Sequence, residues 1–142
     1  MSGATDRDDL LTKVLRDTKT IALVGASANS LRPSFGVMQY LLGHGYKVHP
    51  VNPGLSGQDL LGCRVFSSLA DIPETIDMVD IFRNSADAAS VVAEALALPT
   101  LPKCIWMQIG VVNKLAAARA EAKGISVIMN LCPKIEHARL ID

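Results

Sequence analysis

The sequence predicts an α/β fold: a Rossmann-like three-layer domain with a mostly parallel sheet covered by helices on both faces. Three observations point there. Short apolar runs of strand length alternate with segments of helical periodicity along the whole chain. Runs such as "TIALVG" are apolar almost throughout, as expected of strands buried on both faces. Turn formers punctuate the pattern at Gly45, Asn52-Pro53-Gly54 and Gly124.

Each element follows from its residues. Asp8–Arg16 places Leu10, Leu11, Val14 and Leu15 on one helical face, with aspartates in the first turn where the helix dipole favours them. "TIALVG" is the first strand. A helix is expected over Ser34–His44, where Phe35, Met38, Leu41 and Leu42 share a face, Pro33 suits the first position and Gly45 the end. "YKVHPVNP" gives a second strand, and a turn-rich stretch leads to a short strand around Cys63–Phe66. "MVDIFR" is the next strand, before a helix carrying Ala88, Val91, Val92, Ala95 and Leu96. "KCIWMQIG" follows as a strand, then a helix from Val111 to Lys123, a strand in "ISVIMN" and a short helix in "PKIEHARL". No repeat or second-domain boundary interrupts the series, so residues 1–142 read as one domain with residues 1–18 as an N-terminal helical extension.

Composition narrows the function classes. The 142 residues carry 14 acidic and 14 basic side chains, a balance without the broad attraction that nucleic acid or an anionic membrane requires. No apolar run approaches the ~18 residues of a membrane span, and the acidic N-terminus lacks the apolar centre of an export signal. Cys63, Cys104 and Cys132 are odd in number and widely spaced, which fits unpaired thiols in a reducing compartment and gives no zinc spacing. The expectation is a cytoplasmic protein.

In a doubly wound sheet, ligands bind beyond the carboxyl ends of the strands. Five segments therefore matter. In "GASANSLRPSFG", Gly25 permits a sharp exit from the strand, while Ser27, Asn29, Ser30 and Ser34 offer polar groups. Backbone N–H groups at the following helix start favour an anion, and Arg32 adds a charge able to hold a phosphate bidentately. The second strand ends in Pro50-Val51-Asn52-Pro53, without the carboxylate, about 20 residues past the glycine turn, that selects the NAD ribose. NAD loses ground there, whereas NADP stays open through Arg32 or Lys47. Asn52-Pro53-Gly54 reads equally well as an ordinary turn.

Arg83 ends its strand and either faces the crevice or pairs with a neighbouring acid, while Asp80 within the strand needs a partner if buried. Gln108 offers an amide and Gly110 a close backbone approach; Trp106 and Met107 read as core. Near the last strand, Cys132, Glu136 and His137 lie close in sequence, but Glu136 and His137 point different ways on a helix and nothing activates the thiol. No catalytic or metal-binding set emerges, and His44 and His49 lack metal-ligand spacing.

With "ALVGAS…RPSFGVMQYLLGHGYKVHPVNP", "VDIFRNS", "WMQIG" and "CPKIEHARL" in place, the chain from about Lys19 to Leu140 resembles the stand-alone CoA-binding proteins. That family is similar to the CoA-binding N-terminal domain of the succinyl-CoA synthetase alpha subunit. The resemblance implies that Gly25, Ala26, Ser27, Asn29, Arg32, Pro33 and Ser34 lie against CoA phosphates. It implies Asn52 and Pro53 beside the nucleotide, with Arg83, Asn84 and Ser85 across the crevice. Gly110, Cys132, Pro133 and Lys134 would form the far rim. Similar proteins commonly carry Asp-Arg where this chain has Asn130-Leu131, a departure that bears on the last of these contacts. The synthetase's phosphorylated histidine belongs to a second domain for which this chain has no room. The resemblance therefore implies binding of coenzyme A or an acyl-CoA without catalysis, as a sensor, carrier or partner subunit. The rival readings are an NAD(P)-dependent oxidoreductase or NADP-binding regulatory domain, and a protein-interaction module with no nucleotide. Whether the chain forms a homo-oligomer is not legible.

Overall fold

The computed structural model describes the backbone of residues 3–142 and the side chains of residues 6–142. Its elements are α1 (Gly3–Asp17), β1 (Thr20–Val24), α2 (Pro33–Gly43), β2 (Lys47–Val51), β3 (Asp59–Leu60) and β4 (Cys63–Arg64). They continue with β5 (Met78–Ile81), α3 (Ser85–Leu96), β6 (Cys104–Met107), α4 (Lys114–Glu121), β7 (Ser126–Ile128) and α5 (Pro133–Leu140). Five strands form one sheet in the order β2-β1-β5-β6-β7, and every neighbouring pair is parallel. The strand order reverses between β1 and β5, which opens a crevice at their carboxyl ends.

Alternation along the strands divides the core. Ile21 and Leu23 of β1, Met78 of β5, and Cys104 and Trp106 of β6 meet α1 and α2 through Leu11, Leu15, Met38 and Leu41, and Leu140 of α5 packs against the same cluster. Ala22, Val24, Val79, Ile81, Ile105 and Met107 point the other way, onto Ala88, Val91, Val92 and Ala95 of α3 and Ala116 and Ala120 of α4. The three-layer expectation is met. α1 belongs to this core, with Leu11 and Leu15 each 2% exposed.

Three boundaries differ from expectation. α1 runs to Asp17 and begins at Gly3, longer at both ends than Asp8–Arg16. The stretch around Cys63–Phe66 is no strand of the main sheet: β3 and β4 form an antiparallel two-residue hairpin. Leu61 and Gly62 turn it with φ of 50° and 81°, and Phe66 alone bridges to Val51. α4 starts at Lys114 rather than Val111, because the Asn113 side chain accepts the Ala116 N–H and caps the helix there.

Where α2 meets α5, Tyr40, His44 and the buried His137 cluster. The Tyr40 hydroxyl lies 2.9 Å from His137 Nδ1, Tyr40 and His44 stack at 3.9 Å, and His44 Nε2 is 3.6 Å from an Asp142 carboxylate oxygen. Glu136 and His137 do point apart: Glu136 accepts from Arg139, which also reaches Asp8 of α1. Burial, reinforced by His44 and opposed by Asp142, holds His137 below the ordinary imidazole value of 6.5. A lowered folded-state value means that the stability from this group is complete above 6.5 and is lost as pH falls below it. We expect the melting temperature to drop between pH 7.5 and 5.5 by roughly 1–3 °C more in the wild type than in His137→Gln. Identical drops in thermal scans would refute a protonation at His137.

Candidate functional site

β1 exits through Gly25, whose φ of +93° is one that L side chains rarely adopt. A Cβ there would also sit 3.2 Å from Phe82 Cβ, so glycine lets the turn lie against the end of β5. The N–H groups of Gly25 and Ala26 both donate to Val51 O, at 3.0 and 3.3 Å. Asn52 Nδ2 donates to Ala26 O at 2.8 Å, and Asn52 Oδ1 accepts the Gly54 N–H. Asn52 thus fastens the β1 turn to the end of β2.

The rest of the turn is partly self-satisfied. Ser27 Oγ accepts the Asn29 N–H, Asn29 Oδ1 accepts the Leu31 N–H, and Asn29 O accepts the Arg32 N–H. Pro33 has no N–H, and the Phe35 N–H donates to Arg32 O. Among the described residues, no hydrogen bond within the chain uses the N–H of Ala28, Ser30 or Ser34. The anion-binding capacity expected of the turn therefore rests on a few amides, on hydroxyls and on Arg32. Arg32 precedes α2 in an extended conformation and makes no side-chain cap. Among the described residues, no carboxylate pairs with it.

A cleft of about 660 Å³ opens here, lined by Gly25, Ser27, Arg32, Pro33, Ser34 and Val37 on one side. Phe82, Gln108, Ile109, Val111, Cys132 and Ile135 line the other. It lies over the carboxyl ends of β1, β5 and β6, where α2 and α5 both begin at a proline. Arg32 is the one charged residue in the lining. The positive ends of two helices and one guanidinium favour an anionic group, while Phe82, Val111 and Ile135 favour an apolar one.

Of the residues singled out in the sequence, Gly25, Ser27, Arg32, Pro33, Ser34, Gln108 and Cys132 meet in this lining. Ala26 is buried behind the turn, and Asn29 braces it. Asn52 and Pro53 stand at the end of β2, where Pro53 opens a single 3₁₀ turn. Arg83 donates to Asp87 at 2.8 Å, so of its two readings the structure shows the pairing with a neighbouring acid. Asn84 caps α3 by accepting the Asp87 N–H. Ser85 Oγ donates to Gly110 O and accepts the Val112 N–H, tying the loop after β6 to the start of α3. Pro133 opens α5, and Lys134 Nζ lies 5.8 Å from the centre of the Tyr40 ring.

The Asn130-Leu131 departure is accommodated. Asn130, in the left-handed region at φ 61°, accepts the Gly110 N–H through Oδ1 at 2.8 Å; asparagine tolerates that conformation better than most residues. The Leu131 side chain packs on the α1/α2/α5 core, and its carbonyl accepts from Trp106 Nε1.

Phe82, Ile109 and Val111 fall within the strand-end segments that the sequence marks but carry no polar group of their own, and Ile135 lies just beyond the last of those segments. Their signal lies in placement: Phe82 follows β5 directly, and Ile135 falls three residues after Cys132, on the same side of α5. Among the described residues no group of three His, Cys, Asp or Glu is arranged to hold a metal ion, and no helix is long and apolar enough to cross a membrane.

Fold and cleft define a doubly wound α/β domain with a ligand crevice at its topological switch point. The chain belongs to the CoA binding domain family, whose profile matches residues 19–138. It is 38% identical over 126 residues to the protein YneT of Bacillus subtilis (strain 168), across 89% of this chain and 90% of that one. It is 33% identical over 100 residues to the ADP-forming acetate–CoA ligase II of Archaeoglobus fulgidus; this aligns 67% of the chain with only 14% of the ligase. A solved structure of a hypothetical protein from Pyrococcus horikoshii OT3 matches with a TM-score of 0.89 at 36% identity, over 95% of this chain and 92% of that one.

Proposed function

We propose that this protein binds coenzyme A or an acyl-CoA in the cleft between α2 and α5, and that it acts by binding alone. The observation that carries the reading is Arg32: an exposed guanidinium with no ion-pair partner among the described residues, on the rim of a cleft whose lining holds no carboxylate. Membership of the CoA binding domain family and likeness to part of an acetate–CoA ligase support coenzyme A as the anion. In this reading Arg32 and the turn from Gly25 to Ser34 hold phosphates, and the apolar wall takes the remainder of the molecule. The lining contains one thiol, Cys132, but no histidine or carboxylate to act as an acid or base. A sensor, carrier or partner subunit fits such a site. The three cysteines, none in a disulfide, suit a reducing compartment such as the cytoplasm.

Thermal unfolding with CoA, acetyl-CoA, NADPH, NADH and ADP at equal concentration tests the proposal. A ligand at 100 times its Kd stabilises the fold by about 2.7 kcal/mol. We expect the two CoA species to raise the transition most. A shift with NADPH and none with CoA would assign the cleft to a dinucleotide, and no shift with any of them would point to a protein-interaction role.

A further inference from the structure

Gln108 is the unexplained group in the cleft. Its backbone is fully engaged: the N–H donates to Ile81 O and the carbonyl accepts the Val111 N–H at 2.8 Å. Its side chain is not. The residue is only 6% exposed, it lines the cleft, and its Oε1 is buried with no hydrogen-bond partner. Native proteins leave few buried polar atoms in that condition, and a ligand is one of the standard reasons for one.

Its surroundings limit which ligand group would suit it. Gln108 follows β6, two strands from β1 across the sheet, so at ~4.8 Å per strand it stands roughly 10 Å from the β1 exit that leads to the phosphate turn. Phe82, Ile109, Val111 and Ile135 share its side of the cleft. No cation accompanies them: Arg83 is tied to Asp87, and Lys134 lies against Tyr40. A primary amide has one acceptor and two donor hydrogens, so it pairs reciprocally with another amide in an apolar setting. A carboxylate brought to this wall would lose its hydration and meet only the fractional positive charge at the start of α5, with no full cation to pair with.

We infer that Gln108 is a specificity contact for an uncharged, amide-bearing arm of the ligand, and that this end of the cleft rejects a ligand terminating in a carboxylate. The inference rests on the CoA reading: the arm is the pantetheine portion with its two amides, and the favoured acyl groups are short and uncharged. Such selectivity belongs to the cleft wall alone and is separable from phosphate capture at Arg32.

The test is calorimetric titration of the wild type, Gln108→Leu and Gln108→Met with CoA, butyryl-CoA, succinyl-CoA and ADP. The wild type should bind butyryl-CoA at least about tenfold more tightly than succinyl-CoA, the cost expected for desolvating an unpaired charge. Both variants should bind CoA about fivefold more weakly while binding ADP as the wild type does, because a neutral hydrogen bond is worth that much. Equal wild-type affinity for butyryl-CoA and succinyl-CoA, or variants whose CoA affinity is unchanged, would overturn the inference while leaving CoA binding intact. A wild type that binds no CoA species would instead overturn the CoA reading, and this inference with it. The comparison of acyl groups uses the wild type, so it decides the matter even if the variants fold poorly.

Discussion

Replacing Asp80 with valine should raise the melting temperature at pH 7 by roughly 3–10 °C, the equivalent of about 1–3 kcal/mol for removing an unsatisfied buried polar group. Asp80 lies in the middle of β5, wholly buried, between Leu23 of β1 and Trp106 of β6 in register. Neither carboxylate oxygen has a hydrogen-bond partner. Burial pushes this carboxyl well above the usual value of 3.8, so the folded chain holds the proton that the unfolded chain releases. With the folded value raised, stability is greatest below 3.8 and declines as pH rises from there towards the folded value. Each pH unit in that window costs about 1.4 kcal/mol. The advantage of Asp80→Val should therefore shrink on acidification towards pH 4. Asp80→Asn, which keeps the polarity and cannot ionise, should lose the pH dependence and gain less. Thermal scans at pH 4, 5.5 and 7 check this; a valine variant less stable than wild type at pH 7 would show that the carboxyl has a stabilising partner. Its neighbour is affected too: burial, then Asp80, push the Cys104 thiol up to about 12, which leaves it unreactive.

Arg32→Ala should weaken CoA binding by about 10–100-fold, which is roughly 1.4–2.7 kcal/mol and the range of charge-assisted hydrogen bonds. The fold should not suffer, because Arg32 is exposed and its side chain does not cap α2. Arg32→Lys should recover only part of the loss, since an ammonium cannot grip two phosphate oxygens in parallel. ADP affinity should fall with that of CoA if the contact is to phosphate. Calorimetry on the folded variant decides: unchanged affinity would remove Arg32 from the site.

Continuous apolar runs marked β1, β5 and β6, and Pro33 with Gly45 framed α2, because those signals are local. β3 and β4 were not legible as a hairpin: two-residue strands carry no periodicity, and Leu61 occupies a conformation that its residue type does not announce. Val111 is buried by tertiary packing and so read as part of α4, while the cap at Asn113 set the true start. In the cleft, the glycine turn and Arg32 were legible from their place after β1. The orphaned state of Gln108 and Asp80 was not, because the lack of a partner is a property of everything around a residue and of nothing in its own segment.

The bridge between Val51 and Phe66 has a consequence for self-association. β2 is an edge of the five-stranded sheet, and an open parallel edge is a template on which another chain's strand can add. Here Phe66 donates its N–H to Pro50 O and accepts that of Asn52, so the segment after the small hairpin already occupies the outer hydrogen-bonding groups at the carboxyl end. Pro50 has no N–H to offer, and charged Lys47, paired with Glu74, guards the other end. The opposite edge, β7, is only three residues long. Edge-to-edge growth into larger sheets is therefore blocked on one side and short of length on the other.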